Sequence, residues 1–234
     1  MLPFVNKFFS AANRLLPLVP ARLRLALLVK TYGMLSENER EAYHLQQIGP
    51  CRGTAIDIGA NFGLYTLQMS RCYPQVISFE PNPEVAAPLI AARLHNIKLL
   101  HEGVSCQRGV AQLFIPISNG VTLGGWASLD EHNCPQATSF KKLTIPLSPL
   151  DAYQFTGVGL IKVDVEGHEL EVLRGAEQTI RQSRPHLIIE VKDEHLVALR
   201  ATLGGWGYHE RTLQQLAGVQ GSPQNYLFLP DTPP

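Results

Sequence analysis

The chain has 234 residues, 20 basic and 20 acidic side chains, and a hydrophobic fraction of 45%. That length suits one large domain, or one domain with a helical attachment, and the composition is that of an ordinary globular protein. Balanced charge supplies no electrostatic reason to expect a nucleic-acid partner, and no run approaches the roughly 18 apolar residues of a membrane-spanning helix.

Residues 1 to 36 hold Lys7, Arg14, Arg22, Arg24 and Lys30 and no acid, with Leu and Phe between the bases. This predicts a basic amphipathic surface for anionic lipid through residues 1–33, or short helices packed on the domain or on a second subunit as a homodimer. Prolines at 3, 17 and 20 divide the segment. Lys7, Asn13 and Arg14 interrupt its apolar start, unlike a secretory leader. Cys51, Cys72, Cys106 and Cys134 are scattered, without CxxC or metal-type spacing. Free thiols in a reducing, cytoplasmic compartment are the expectation.

"NEREAYHLQQIG" predicts a helix ending at Gly49, so the helical extension is set at residues 1–50 and the main domain at 51–234. There "GTAIDIG" is an apolar strand before glycines, "LYTLQMSRC" a helix and "QVISFE" a strand. "PEVAAPLIAARLH" is a helix with Pro83 near its first turn, and "IKLLHEGVS" a third strand. From about 109 to 150 the pattern changes to β-like pieces, "VAQLFIPI" and "KLTIPLS". Alternation then resumes with strand "VGLIKVDV", helix "HELEVLRGAEQTIRQS", strand "HLIIEV" and helix "EHLVALRATLGG", with late strands near "YHE" and "NYLFL". Repeated strand–helix–strand units predict an α/β fold: a mostly parallel sheet flanked by helices.

Ligands of such sheets bind beyond the carboxyl ends of the strands. The first strand ends in "DIGANFG", where Gly59 and Gly63 allow a tight turn close to a ligand. The second ends at Glu80, placed to accept hydrogen bonds from ribose hydroxyls. Asp57 and Glu80 are therefore the candidate anchors of a nucleoside-like cofactor, with a turn or cap as the plainer role for Asp57. The GxGxxG fingerprint is absent, which disfavours a dinucleotide and its pyrophosphate. In "IKVDVEGHELEVLRGA", strand alternation puts Lys162, Asp164 and Glu166 on one side. Charges on a central strand are costly unless paired or functional. The alternatives are a salt bridge of Lys162 with a neighbouring acid, together with Glu166 at the helix start favoured by its dipole, or a reactive site. His168 falls on the first helical turn, as a cap or a site residue, and Glu190 ends the next strand. "GGWASLDEHNCPQ" places Trp126, Ser128 and His132 in a loop over the crevice or in a surface hairpin. Carboxylates suit Mg²⁺ or Mn²⁺, but no metal is expected.

Together, "AIDIGANFGLYT", "SFEPNP", "IPLSPLD" and "LIKVDVEGHELEVLRGA" followed by "LIIEV" resemble the FkbM family of S-adenosylmethionine-dependent methyltransferases, over residues 40 to 192 and more weakly to 230. The resemblance implies the class I methyltransferase fold, a Rossmann-like sheet of seven strands, parallel but for one. It implies an S-adenosyl-L-methionine pocket of Asp57, Gly59, Asn61 and Gly63, with Glu80 and Pro81 at the ribose and Gly103, Val104 and Ser105 beside the adenine. It also implies O-methylation of a sugar, glycolipid or polyketide-like acceptor. Asp164 is the first candidate for base or acceptor positioner, then Glu190 and His168, with Lys162 orienting an acid or the acceptor oxygen. Glu166, Trp126 and Ser128 are expected on the acceptor side. The competing reading is a non-catalytic protein of the same fold that binds a partner or membrane through its basic N-terminus.

Overall fold

The computed structural model describes residues 18–35, 39–118 and 120–231. The expectations for residues 1–17 lie outside these. Among the described residues the chain begins with helix α1 (Ala21–Leu35), then a 3-10 turn (Arg40–His44) running into the short helix α2 (Leu45–Ile48). Strand β1 (Thr54–Ile58), helix α3 (Leu64–Cys72), strand β2 (Gln75–Phe79), helix α4 (Ala87–Ala92) and strand β3 (Ile97–Leu100) form the first alternating half. The second half is β8 (Val158–Val163), α5 (Glu169–Gly175), α6 (Glu177–Ser183), β9 (His186–Glu190), α7 (Asp193–Gly205), β10 (Tyr208–Arg211), α8 (Leu213–Ala217) and β11 (Asn225–Pro230). Between the halves lie β4 (Gly103–Val104), β5 (Gly109–Ser118), β6 (Val121–Thr122) and β7 (Ser139–Ser148).

The main sheet has the order β10-β11-β9-β8-β1-β2-β3. Only β11 runs against its neighbours, being antiparallel to both β9 and β10. This is the expected seven-stranded sheet. Its central strand β8 is buried along its whole length, because helices cover both faces. Leu160 and Ile188 join one core with Leu25, Leu28, Val29 and Ile48 of the extension and Met69 of α3. Ile161 and Val163 join the other with Val172, Ile180, Leu199 and Phe228. The extension therefore shares a core with the sheet, and α1 packs chiefly on α4. Each such side chain contributes about 1.5–3 kcal/mol of burial.

Four expected elements differ in detail. The helix ending at Gly49 is a 3-10 turn and one α-turn. The helix after β2 starts at Ala87, with Pro88 in its first turn and Pro83 upstream of it. The long helix after β8 is two, broken at Gly175–Ala176. A Cβ at Gly175 would lie 2.0 Å from the Ser105 carbonyl oxygen, so glycine lets the segment after β4 press onto the helix. The Asp151 carboxylate then caps α6, accepting the N–H groups of Gln178 at 2.9 Å and Thr179 at 2.8 Å. Finally, the third strand divides: β3 stays in the main sheet, whereas β4 pairs with β7 in a second sheet of order β4-β7-β5-β6. The long β5–β7 hairpin packs Leu113, Ile115 and Ile145 together.

Candidate functional site: a carboxylate-lined cleft

The carboxyl ends of β1, β2 and β8 open into a cleft roofed by the second sheet. Gly59 (φ 84°) makes the cleft possible where β1 and β8 part. A Cβ there would stand 1.8 Å from the Asp164 carbonyl oxygen, so only glycine fits.

Glu80 is 7% exposed. Its Oε2 accepts the Asn61 N–H at 2.8 Å and its Oε1 accepts the Asn82 N–H at 2.8 Å. Each oxygen keeps a lone pair for another donor, and the residue lines the cleft. Burial pushes its pKa up to about 7, against the two backbone N–H groups. Asn61, in the left-handed region at φ 52°, turns its amide oxygen onto the Phe62 N–H at 2.8 Å. Asp57 lies deeper: its carboxylate accepts the Thr66 hydroxyl at 2.5 Å and Thr66 contacts Ser78 at 2.9 Å. Burial raises its pKa to about 6. Asp57 thus braces α3 beneath the cleft, and Gly63 (φ 101°) begins that helix.

Across the cleft stand Asp164, Glu166 and His168. The Lys162 ammonium, 1% exposed, lies 3.8 Å from Asp164 Oδ2 and 3.7 Å from Glu190 Oε2. Burial disfavours its charge, but Asp164, Glu190, Glu39 and Asp57 outweigh burial and raise its pKa. Repulsion by Asp164, then burial, pushes Glu190 up to about 9. Crowding by these acids thus favours the protonated form of Glu190 beside the charged lysine. Glu166 has φ 51°, a strained conformation for a non-glycine. It is clamped from the second sheet's side: its carbonyl accepts the Ser128 hydroxyl at 2.7 Å and the Asn133 amide at 2.9 Å. Burial, then Asp164, pushes the Glu166 carboxyl up to about 7. His168 Nε2 meets Ser105 Oγ at 2.9 Å, and burial lowers its pKa. It starts α5 without a side-chain cap bond.

Of the expected residues, Gly59, Asn61, Glu80, Pro81, Val104, Asp164, Glu166 and His168 line one cleft. Asp57, Gly63, Ser105, Lys162 and Glu190 support it from behind, through the contacts above. Trp126 is half-buried in a 3-10 turn (Gly124–Trp126) while its neighbours Gly124, Gly125 and Ala127 face the cleft. Ser128 is spent on the Glu166 carbonyl, and His132 is exposed beside Asp130. The sequence reading missed Glu102, Leu113, Leu129 and Ile145, all of which line the cleft. Glu102 was legible as an acid just past a strand. Leu113 and Ile145 carry only strand alternation, which does not say what a hairpin covers.

The lining contains four carboxylates, Glu80, Glu102, Asp164 and Glu166, and no Lys or Arg. Such a wall suits a cationic sulfonium and repels a pyrophosphate. The residues therefore fit S-adenosylmethionine: Glu80 for the ribose, Phe79 and Val104 for an apolar ring, and acids for the charge. No group of three or more His, Cys, Asp or Glu among the described residues is arranged to hold a metal.

Residues 57–210 match the Methyltransferase FkbM domain family. Methyltransferase sdnD of Sordaria araneosa is 28% identical over 177 residues, which is 60% of this chain and 67% of that protein. Methyltransferase 1 of Beauveria bassiana is 27% identical over 160 residues, 59% of this chain and 64% of that protein. The matched region thus spans about two thirds of those relatives' length. Among solved structures, the methyltransferase FkbM of Methylobacillus flagellatus superposes with TM-score 0.53 at 15% identity, covering 95% of this chain and 57% of that one. An rRNA methylase from Streptococcus thermophilus has TM-score 0.50 at 12% identity, with 82% and 95% covered. At these identities the two structures speak for the fold. The family match extends over most of the chain and carries both walls of the cleft, and the chain belongs to the FkbM family of S-adenosylmethionine-dependent methyltransferases.

Proposed function

We propose that this chain transfers the methyl group of S-adenosylmethionine to a hydroxyl of a sugar, glycolipid or polyketide-like acceptor. The observation that carries the reading is a cleft lined by four carboxylates and no Lys or Arg, with Glu80 on one wall and Asp164 on the other. When bound, the cofactor supplies a sulfonium-activated methyl carbon and leaves as S-adenosylhomocysteine. Glu80 orients the ribose, and its two backbone partners hold its carboxylate still. Asp164 accepts the acceptor's hydroxyl proton as the oxygen attacks, acting as a general base. The Lys162 ammonium, 3.8 Å from Asp164 and 3.7 Å from Glu190, offsets the charge of these neighbouring acids. Leu113, Ala127, Leu129 and Ile145 supply an apolar roof for the acceptor's body and keep water out. Trp126 and Ser128 shape that side indirectly, through the loop and the Glu166 clamp.

The test is calorimetric titration with S-adenosylmethionine and, separately, NADH. The expected result is binding of the sulfonium alone. Binding of neither by folded protein overturns the reading.

One observation favours a second reading, contact with an anionic membrane surface. Leu23, Leu27 and Met34 form an exposed row on α1, with Arg22 and Lys30 also exposed beside it. No helix among the described residues is long and apolar enough to cross a membrane. Within this reading the protein is cytoplasmic, and the same row is the candidate surface for a homodimer. Co-sedimentation with phosphatidylserine vesicles, compared with phosphatidylcholine alone, separates lipid contact from self-association.

A further inference from the structure

Lys162 is the one side chain of β8 that carries a full charge into the core, yet its nearest carboxylates lie beyond hydrogen-bond reach, at 3.7 and 3.8 Å. Its Nζ instead donates to Asn225 Oδ1 at 3.1 Å and to the Val163 carbonyl at 3.3 Å, and it stands 5.0 Å from the centre of the Tyr65 ring. Asn225 opens β11 directly opposite Glu190 of β9, so the antiparallel last strand delivers an amide to the back of the site. The far side of that amide is also committed. Asn225 Nδ2 donates to Glu41 Oε2 at 3.2 Å and to the Tyr65 hydroxyl at 3.4 Å. Glu41, 1% exposed, takes its remaining bonds from Ser222: N–H to Oε1 at 2.8 Å and Oγ to Oε2 at 2.7 Å.

The amide has only one workable orientation. A carboxylate demands the NH₂ and an ammonium demands the carbonyl. Turning it over would set donor against donor and acceptor against acceptor in a buried place. Glu41 therefore fixes Asn225, and Asn225 fixes the ammonium.

We propose that Asn225 and Glu41 are positioning residues that hold the Lys162 ammonium back from Asp164 and Glu190. Both lie outside the family match at residues 57–210. The inference rests on the methyl-transfer reading for its purpose. An ammonium bonded directly to a carboxylate lowers its proton affinity and occupies its lone pairs. Held at 3.7–3.8 Å, Lys162 neutralises the pair without blocking the oxygen that must take a proton. The other charges facing Lys162 are Asp57 of β1 and Glu39 before the 3-10 turn. Those facing Glu190 are Asp164, Lys162, Glu39 and Glu166.

The test needs no acceptor. Protein with ¹³C-labelled glutamate carboxyls is titrated by NMR as wild type, Asn225→Leu and Glu41→Gln, with Glu190→Gln assigning the signal. Releasing the ammonium lets it close on the pair, so the Glu190 midpoint falls by about one pH unit or more in both variants, a tenfold loss of proton affinity. A wild-type midpoint in folded Asn225→Leu overturns the proposal. If Asn225→Leu does not fold, Asn225→Ala decides, because it removes the same amide from the ammonium without changing any charge. Calorimetry with S-adenosylhomocysteine on the same samples separates the two readings. Failure of wild type to bind it removes the methyl-transfer reading, while the titration still judges the tether.

Discussion

The two sheets of this protein treat charge in opposite ways. The main sheet brings Glu80, Asp164 and Glu190 to the carboxyl ends of its strands, and buries Lys162 within it. The second sheet gives the cleft Val104, Leu113 and Ile145 and no charged side chain. A parallel sheet packed on both faces is rigid, so its strand ends hold reacting groups to a narrow geometry. A hairpin joined at its base has freer shape, and loops on a rigid scaffold are where binding specificity resides. The difference assigns chemistry to the main sheet and acceptor choice to the second.

If that division holds, the largest effect belongs to the main sheet. Asp164→Asn keeps the shape but removes the base, and methyl transfer to an accepted hydroxyl falls about 10²–10⁴-fold, measured as product by mass spectrometry. Equal loss on replacing Leu113 would break the comparison. Glu80→Ala removes charge-assisted bonds of about 1.5–3 kcal/mol, so S-adenosylmethionine affinity drops by about 10–100-fold in calorimetry. Gly59→Ala forces a Cβ against the Asp164 carbonyl in the left-handed region. A stability loss of at least about 1–3 kcal/mol follows, read from urea unfolding. Ile145→Ala opens the apolar roof, costs about 2–5 kcal/mol and alters which acceptors react, while sulfonium affinity stays near wild type.

A separate effect is in pH. Glu80, Glu166 and Glu190 have folded pKa values raised to about 7, 7 and 9. The native state then binds more protons than the unfolded chain above pH 4.5, so stability falls as pH rises from there through 7, and on to 9 for Glu190. Thermal midpoints of the ligand-free protein fall over that window, and Glu190→Gln flattens the upper part of the slope. A stability that rises with pH from 5 to 8 contradicts the buried-acid description.

Legibility followed the same division. The alternating halves were readable because apolar runs bounded by glycines and followed by helical spacing have few other solutions. Asp57, Glu80, Asp164 and Glu190 were readable because an acid ending a buried strand is costly without a purpose. Glu102, Leu113 and Ile145 were not placed, since hairpin alternation is silent about which surface a hairpin covers. Trp126 and Ser128 were located in the right loop, but Ser128 turns to the Glu166 carbonyl and the glycines beside Trp126 face the cleft.

By itself the sequence determined the alternating sheet and the acids at its strand ends, which follow from local periodicity, and the family, which follows from the resemblance its motifs carry. Only the tertiary structure decided which acids reach the cleft and which brace it from behind. It alone brought Glu41 near the start of the chain and Asn225 near its end to one lysine. That meeting depends on the register of an antiparallel last strand and on an extension folded into the sheet's own core. No local pattern encodes a contact made across 184 residues.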